Sequence, residues 1–170
     1  MQNPIIMLPK LIFTKLEKTA HPPQRPLVAW DGDCGFCHYW VLRWKKATGQ
    51  NVDYKPLLSV YENFPDIELK YFRQAIRMFD TDGRIYTGPA AVFKAYQYGK
   101  SFRWVMPLYE NFKPAEFIAD HIYSLVSRNR NAMYKITVRL FGKNPVRPKP
   151  YWAYYLGGFV LMLTALVLIF

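Results

Sequence analysis

The first strong pattern in the chain is an apolar run, "PLVAWD" at residues 26–31, which lies between a proline and a glycine turn. A short apolar run with such boundaries predicts a buried β-strand. Beyond the turn, aromatic and aliphatic residues mix with Arg43, Lys45 and Lys46 up to Gly49, which predicts an amphipathic helix with a glycine stop. The stretch "NVDYKPL" predicts a second strand, and "SVYENF" has room only for a helical turn or two.

Residues 74–88, "QAIRMFDTDGRIYTG", contain two β-rich stretches joined through Asp82 and Gly83. This pattern predicts a β-hairpin with a tight turn. The following "PAAVFKAYQYG" predicts a helix with Pro89 in its first turn and Gly99 as its stop. Residues 113–142 predict one or two further helices, with a break near residues 129–131.

The predicted order is strand, helix, strand, short helix, hairpin and helix. A right-handed crossover makes the first two strands parallel neighbours, and the hairpin adds an antiparallel pair. This is the element order of the thioredoxin fold. We therefore expect a thioredoxin-like α/β domain over residues 26–142, with extra helices at its C-terminal end.

The last twenty residues, 151–170, contain no charged side chain. A helix of this length spans a bilayer, and its first aromatic residues would lie at the interface, after a basic linker at residues 143–150. Between Arg128 and Lys149 the chain has seven Lys or Arg and no Asp or Glu, which places the preceding domain on the cytoplasmic side. We expect one C-terminal transmembrane helix as a single-pass membrane anchor, with a buried core helix as the alternative.

Residues 1–25 predict an amphipathic segment and a linker. Pro9 and Lys10 interrupt the first apolar run, so it does not resemble a signal peptide, whereas the apolar residues up to Leu16 recur near helical spacing. The formal net charge of +11 suits an anionic partner, but no nucleic-acid-binding motif is present. Because much of the excess lies beside the apolar C-terminal segment, we expect membrane lipid as that partner and no nucleic acid.

Cys34 and Cys37 are the only cysteines and form a C-x-x-C motif at the predicted strand-to-helix junction. Two cysteines cannot staple a small secreted domain, so a chemical role is favoured over buried structural thiols. At a helix N-terminus, free N–H groups and the helix dipole favour a thiolate, which makes Cys34 the predicted nucleophile. Cys37, one turn later, is the predicted resolving thiol, and such a redox pair needs no bound cofactor.

Asp31 and Asp33 place negative charge beside Cys34, which opposes thiolate formation. Asp31, at the end of the first strand, could instead accept the proton of Cys37 through a water and so activate it. The ordinary alternative for an Asp before a helix is a turn or a helix cap. Both interpretations stay open for Asp31, and for Asp33 we expect a cap.

Residues 28–38 also match parts of three other kinds of site: a haem attachment site, a zinc site and a phosphatase magnesium site. His38 completes C-x-x-C-H, the attachment motif of c-type haem, although the chain shows no clear export signal. Zinc would need further ligands, and His21 and His121 stand far apart rather than in a second pair. The stretch "VAWDGDCG" is like the nucleophile strand of haloacid-dehalogenase-type phosphatases, but no late acidic pair completes a magnesium site.

The strand "PLVAWD" followed by "DGDCGFC" resembles the Asp-x-x-Cys-x-x-Cys signature of the DCC family of thiol-disulfide oxidoreductases. The hairpin "MFDTDGRIYTGPAA" and the later "YSLVSRNR" and "RLFG" are also similar to stretches of that family, so the resemblance covers residues 26–142. Asp31, Cys34 and Cys37 match the signature. The proline that precedes the third strand of thioredoxin itself has no counterpart in "YFRQAIRMF".

The resemblance implies a thiol–disulfide oxidoreductase of the protein-disulfide reductase type. Its expected partners are a disulfide-containing protein or small thiol substrate and a cellular reductant. The competing hypothesis is a non-enzymatic, membrane-tethered module that senses redox state or binds a partner. Both hypotheses predict the same strand, turn and helix.

Overall fold

A computed structural model describes residues 11–169, and in the last helix the side chains up to Leu161 and that of Thr164. The first part of the domain is a βαβ unit followed by a hairpin and a helix. The predicted order of elements is confirmed here. Its strands and α-helices are β1 (Leu27–Trp30), α1 (Gly35–Thr48), β2 (Asp53–Pro56), α2 (Leu69–Gln74), β3 (Arg77–Phe79), β4 (Ile85–Thr87) and α3 (Pro89–Gln97).

The four strands form one sheet in the order β2-β1-β3-β4. β1 pairs in parallel with β2 and antiparallel with β3, and β3 pairs antiparallel with β4. Side chains alternate across β1, so Leu27 and Ala29 join the core on one face while Val28 joins Met78 and Ala91 on the other. β1 is therefore buried on both faces, and its C-terminal end holds the cysteine motif in a fixed position.

Four further helices follow α3 along the chain. They are α4 (Val105–Asn111), α5 (Lys113–Arg128), α6 (Arg130–Phe141) and α7 (Tyr151–Ile169). The predicted break near residues 129–131 is confirmed, because α5 and α6 meet at Asn129. The sequence analysis did not predict α4, a short helix with Pro107 in its first turn.

The short N-terminal helix expected from the apolar spacing is not formed in residues 11–25, and residues 1–10 lie outside the described part of the chain. The backbone of this segment instead bonds the edge of the hairpin. Thr19 N donates to Gly83 O at 2.9 Å, and Ile85 N donates to Glu17 O at 2.9 Å. These bonds satisfy backbone groups that a helix would otherwise use within itself.

The expected transmembrane helix at residues 151–170 is wrong, since no helix within the described residues is both long enough and apolar enough to cross a bilayer. Residues 151–169 do form α7. The single-pass C-terminal anchor and the membrane localisation inferred from it are corrected by this finding.

Candidate active site

The two cysteines lie at the junction between β1 and α1. Cys34 is the N-cap of α1, and its Sγ accepts a hydrogen bond from Cys37 N at 3.2 Å. The cap is thus the thiol itself and not Asp33, which the sequence analysis expected to cap the helix. A sulfur at this position faces the unpaired N–H groups and the positive end of the helix dipole, which stabilise a thiolate.

Both cysteines are free thiols and half-buried. Cys37 Sγ donates to Cys34 Sγ across 2.6 Å, so a disulfide of about 2.05 Å needs little movement of the chain. Burial raises the pKa of the Cys37 thiol, its hydrogen bond to Cys34 raises it further, and the charge of Arg130 opposes both effects. Cys37 therefore keeps its proton in the resting dithiol.

Asp31 lies beside this pair. One oxygen of its carboxylate and one sulfur from each cysteine lie within 4.8 Å of one another, and no other His, Cys, Asp or Glu in the described part of the chain joins them. Its backbone oxygen accepts from Cys34 N at 3.3 Å, and Oδ1 accepts from Asp33 N at 3.2 Å. A Cβ at Gly32 would lie 3.1 Å from Pro56 Cβ, a tight contact that would require a small shift of Pro56.

Arg130, the first residue of α6, joins the site from the far end of the domain. Its NH1 donates to Asp31 Oδ2 at 2.8 Å. Burial would lower the pKa of Arg130, but the nearby Cys37, Tyr123, Cys34 and Asp31 raise it overall, so the guanidinium stays charged. Sequence analysis did not predict Arg130; its one signal was the "YSLVSRNR" stretch that carried part of the resemblance.

Residues 28–136 match the family model described as DCC1-like thiol-disulfide oxidoreductase. The chain belongs to this family. The match includes the Asp31, Cys34 and Cys37 cluster and confirms the resemblance. No curated protein and no solved structure matches the chain. In this DCC1-like thiol–disulfide oxidoreductase, the C-x-x-C motif thus lies at the start of α1.

The histidines considered in the sequence analysis lie apart from the dithiol of this DCC1-like domain. His38 is exposed, and its ring stacks on Trp30 with centroids 5.7 Å apart. Neither His21 nor His121 belongs to the potential metal-binding cluster found among the described residues, which offers two thiols and one carboxylate. That carboxylate is already paired with Arg130, and no second carboxylate among residues 11–169 joins it in the manner of a phosphatase magnesium site.

Cys37 and Asp31 line a cleft of ≈ 760 Å³ between α1, α2, α3, α4, α5 and α6. Ile76, just before β3, lines the same cleft in the region where thioredoxin carries its proline. The peptide bonds among the described residues are all trans. Ile76 N donates to Tyr123 OH at 3.1 Å, and Ile76 O accepts from Gly88 N at 2.9 Å. The DCC1-like domain thus uses both backbone groups of Ile76 internally.

Proposed function

We propose that the protein reduces disulfides in protein or small-molecule substrates with the Cys34–Cys37 dithiol. The observation that carries this proposal is the pair of free thiols, 2.6 Å apart, with Cys34 at the N-cap of α1. This arrangement supplies an attacking sulfur at a helix N-terminus and a second sulfur within reach of it. Membership of the DCC1-like family supports the thiol–disulfide chemistry.

The reaction begins when the Cys34 thiolate attacks one sulfur of the substrate disulfide. The Cys34–substrate bond forms, the substrate S–S bond breaks, and the released substrate thiolate takes a proton. Cys37 then loses its proton and attacks Cys34 Sγ, which releases the second substrate thiol. The substrate gains two electrons, and the protein is left with a Cys34–Cys37 disulfide that a cellular dithiol or monothiol reductant reopens.

The second step needs a proton acceptor because the pKa of Cys37 is raised by burial. We assign this task to Asp31, whose carboxylate oxygen lies within 4.8 Å of both sulfur atoms. That separation suits transfer through one water. Arg130 fixes the carboxylate through its bond to Oδ2, and its positive charge favours the thiolate form of Cys37.

Substitution of each cysteine tests the proposal. Cys34→Ser should abolish the reduction of a disulfide substrate, whereas Cys37→Ser should accumulate a mixed disulfide between Cys34 and the substrate. Mass spectrometry after acid quenching and alkylation measures both species, with the wild-type protein as control. Full turnover by Cys34→Ser would refute the proposal, as would wild-type thiols that never form an internal disulfide across a glutathione redox titration.

A further inference from the structure

We propose that the cleft beside Cys37 binds the polypeptide that flanks the substrate's disulfide, and that it selects segments with large apolar side chains and an acidic residue. This inference rests on the proposed function and names its substrate class.

The walls of the cleft are apolar and largely aromatic. Phe36, Trp40 and Trp44 form a ladder along one face of α1, with neighbouring ring centroids 6.3 and 6.4 Å apart. Ile118 and Ile122 of α5 line the cleft as well. Cys37 lines the same cleft, and its Sγ lies 2.6 Å from the attacking Cys34 Sγ. A side chain next to the substrate cysteine would therefore leave water and enter an apolar site, which favours binding.

The apolar surface continues beyond the cleft onto its rim. Leu108, Phe112, Ile118 and Ile122 all line the cleft, yet they are between 43% and 55% exposed. Contiguous exposed apolar surface of this kind marks protein–protein contact sites. A polypeptide segment can cover both the cleft and its rim, whereas a compact small molecule would fill only the cleft.

The charge of the cleft lining selects for an acidic neighbour. Arg73 and Arg130 line the cleft together with Asp31, which leaves one positive charge in excess. Asp31 pairs with Arg130, and Arg73 forms no ion pair within the described residues. Arg73 is exposed and also borders a smaller cleft on the other side of Asp31. A carboxylate on the substrate would complement Arg73.

The backbone next to the dithiol offers little for an extended substrate to pair with. Both the N–H and the C=O of Ile76 already bond to Tyr123 and Gly88. A substrate strand cannot pair with the Ile76 N–H without breaking its bond to Tyr123 OH. Recognition therefore depends on side chains that fill the cleft rather than on added β-pairing.

Three synthetic peptides of equal length test the inference. Each carries one cysteine in a disulfide with 2-mercaptoethanol: the first has aromatic and aliphatic neighbours plus one Glu, the second has Gly and Ser neighbours plus one Glu, and the third repeats the first with Lys in place of Glu. The second-order rate constant of peptide-thiol release by the reduced full chain is measured by quenching and chromatography. We expect the first peptide to react about 10-fold faster or more than either of the others.

Matched variants connect this preference to the cleft. Ile122→Ser should reduce the preference for the apolar peptide, whereas Leu125→Ser, at a more exposed position on the same helix that does not line the cleft, should not. Arg73→Glu should reverse the preference between Glu and Lys peptides, with Lys100→Glu as control. Phe112→Ser replaces Ile122→Ser if circular dichroism shows that the latter is misfolded.

The outcomes separate the two proposals. Equal rates for the three peptides, or a preference that Ile122→Ser and Arg73→Glu both leave intact, would overturn the inference while leaving the reductase proposal standing. No reaction with any of the peptides would refute the proposed function itself.

Discussion

Arg130 and Asp31 form an ion pair that lies against the two thiols. Each partner acts on Cys37 in the opposite direction, because the charge of Arg130 lowers the pKa of that thiol and the charge of Asp31 raises it. Both effects are smaller than that of burial. The rate of the resolving step therefore depends on whether the Asp31 carboxylate accepts the proton of Cys37 or only places negative charge beside that thiol.

Asp31→Asn distinguishes these roles at the level of a single residue. The amide oxygen can still accept from Arg130, but the base is gone, so we expect resolution of the mixed disulfide to slow by about 10²-fold. A purely electrostatic role predicts the reverse, since removing the negative charge lowers the pKa of Cys37. Stopped-flow mixing with acid quenching measures the step, and Asp33→Asn is the control. Faster resolution in Asp31→Asn would exclude the proton-acceptor role.

At the scale of elements, the hairpin between β3 and β4 also anchors the N-terminal segment. Gly83, in its turn, has a φ of +82°, and a Cβ there would come within 2.8 Å of Thr19 O. The position thus combines a left-handed backbone with a close approach of two backbones. Only glycine meets both conditions without strain.

Gly83→Ala should lower the free energy of unfolding by about 2–3 kcal/mol, because it adds left-handed strain to a clash with the backbone of Thr19. Chemical denaturation of the reduced protein measures this change. Gly35→Ala is the matched control, since a Cβ at Gly35 meets nothing within 4 Å and its φ is not positive. A Gly83→Ala variant as stable as Gly35→Ala would contradict the interpretation of the turn.

At the scale of the whole molecule, Lys15 connects the start of the described chain to the helices beyond the sheet. Its Nζ lies 2.6 Å from Asp120 Oδ2 and 2.7 Å from Glu116 Oε1. The side chain of Asp120 is 5% exposed and also accepts from Tyr109 OH at 2.7 Å. Burial alone would lower the pKa of Lys15, but these hydrogen bonds outweigh it and raise the pKa overall.

Lys15→Met should destabilise the fold by about 1–3 kcal/mol, because it leaves a buried carboxylate without its cation. Because the pKa of Lys15 is raised, its contribution to stability is complete below the ordinary lysine pKa of 10.5 and is lost as the pH rises beyond that value. Urea denaturation at neutral pH and above pH 10.5 measures both effects. Lys113→Met, which removes only an exposed pair with Glu116, should change stability by less than about 1 kcal/mol. Equal effects of the two substitutions would contradict this account.

Local patterns in the sequence were enough to predict β1, the turn, α1 and the β3–β4 hairpin. Each depends on apolar periodicity and on glycines within a few residues, so local interactions decide them. The placement of Cys34 at the helix start followed directly, and the DCC1-like family match covers the same residues. The expected membrane helix is wrong, since no helix within the described residues is both long enough and apolar enough to cross a bilayer.

The surroundings of the dithiol depend on tertiary packing. Arg130 lies 99 positions from Asp31 along the chain, and the walls of the cleft come from six helices. The N-terminal segment likewise forms hydrogen bonds to the edge of the hairpin instead of a helix. Such contacts depend on how complete elements pack against one another, and no periodicity within one element encodes the distance between two side chains on different ones.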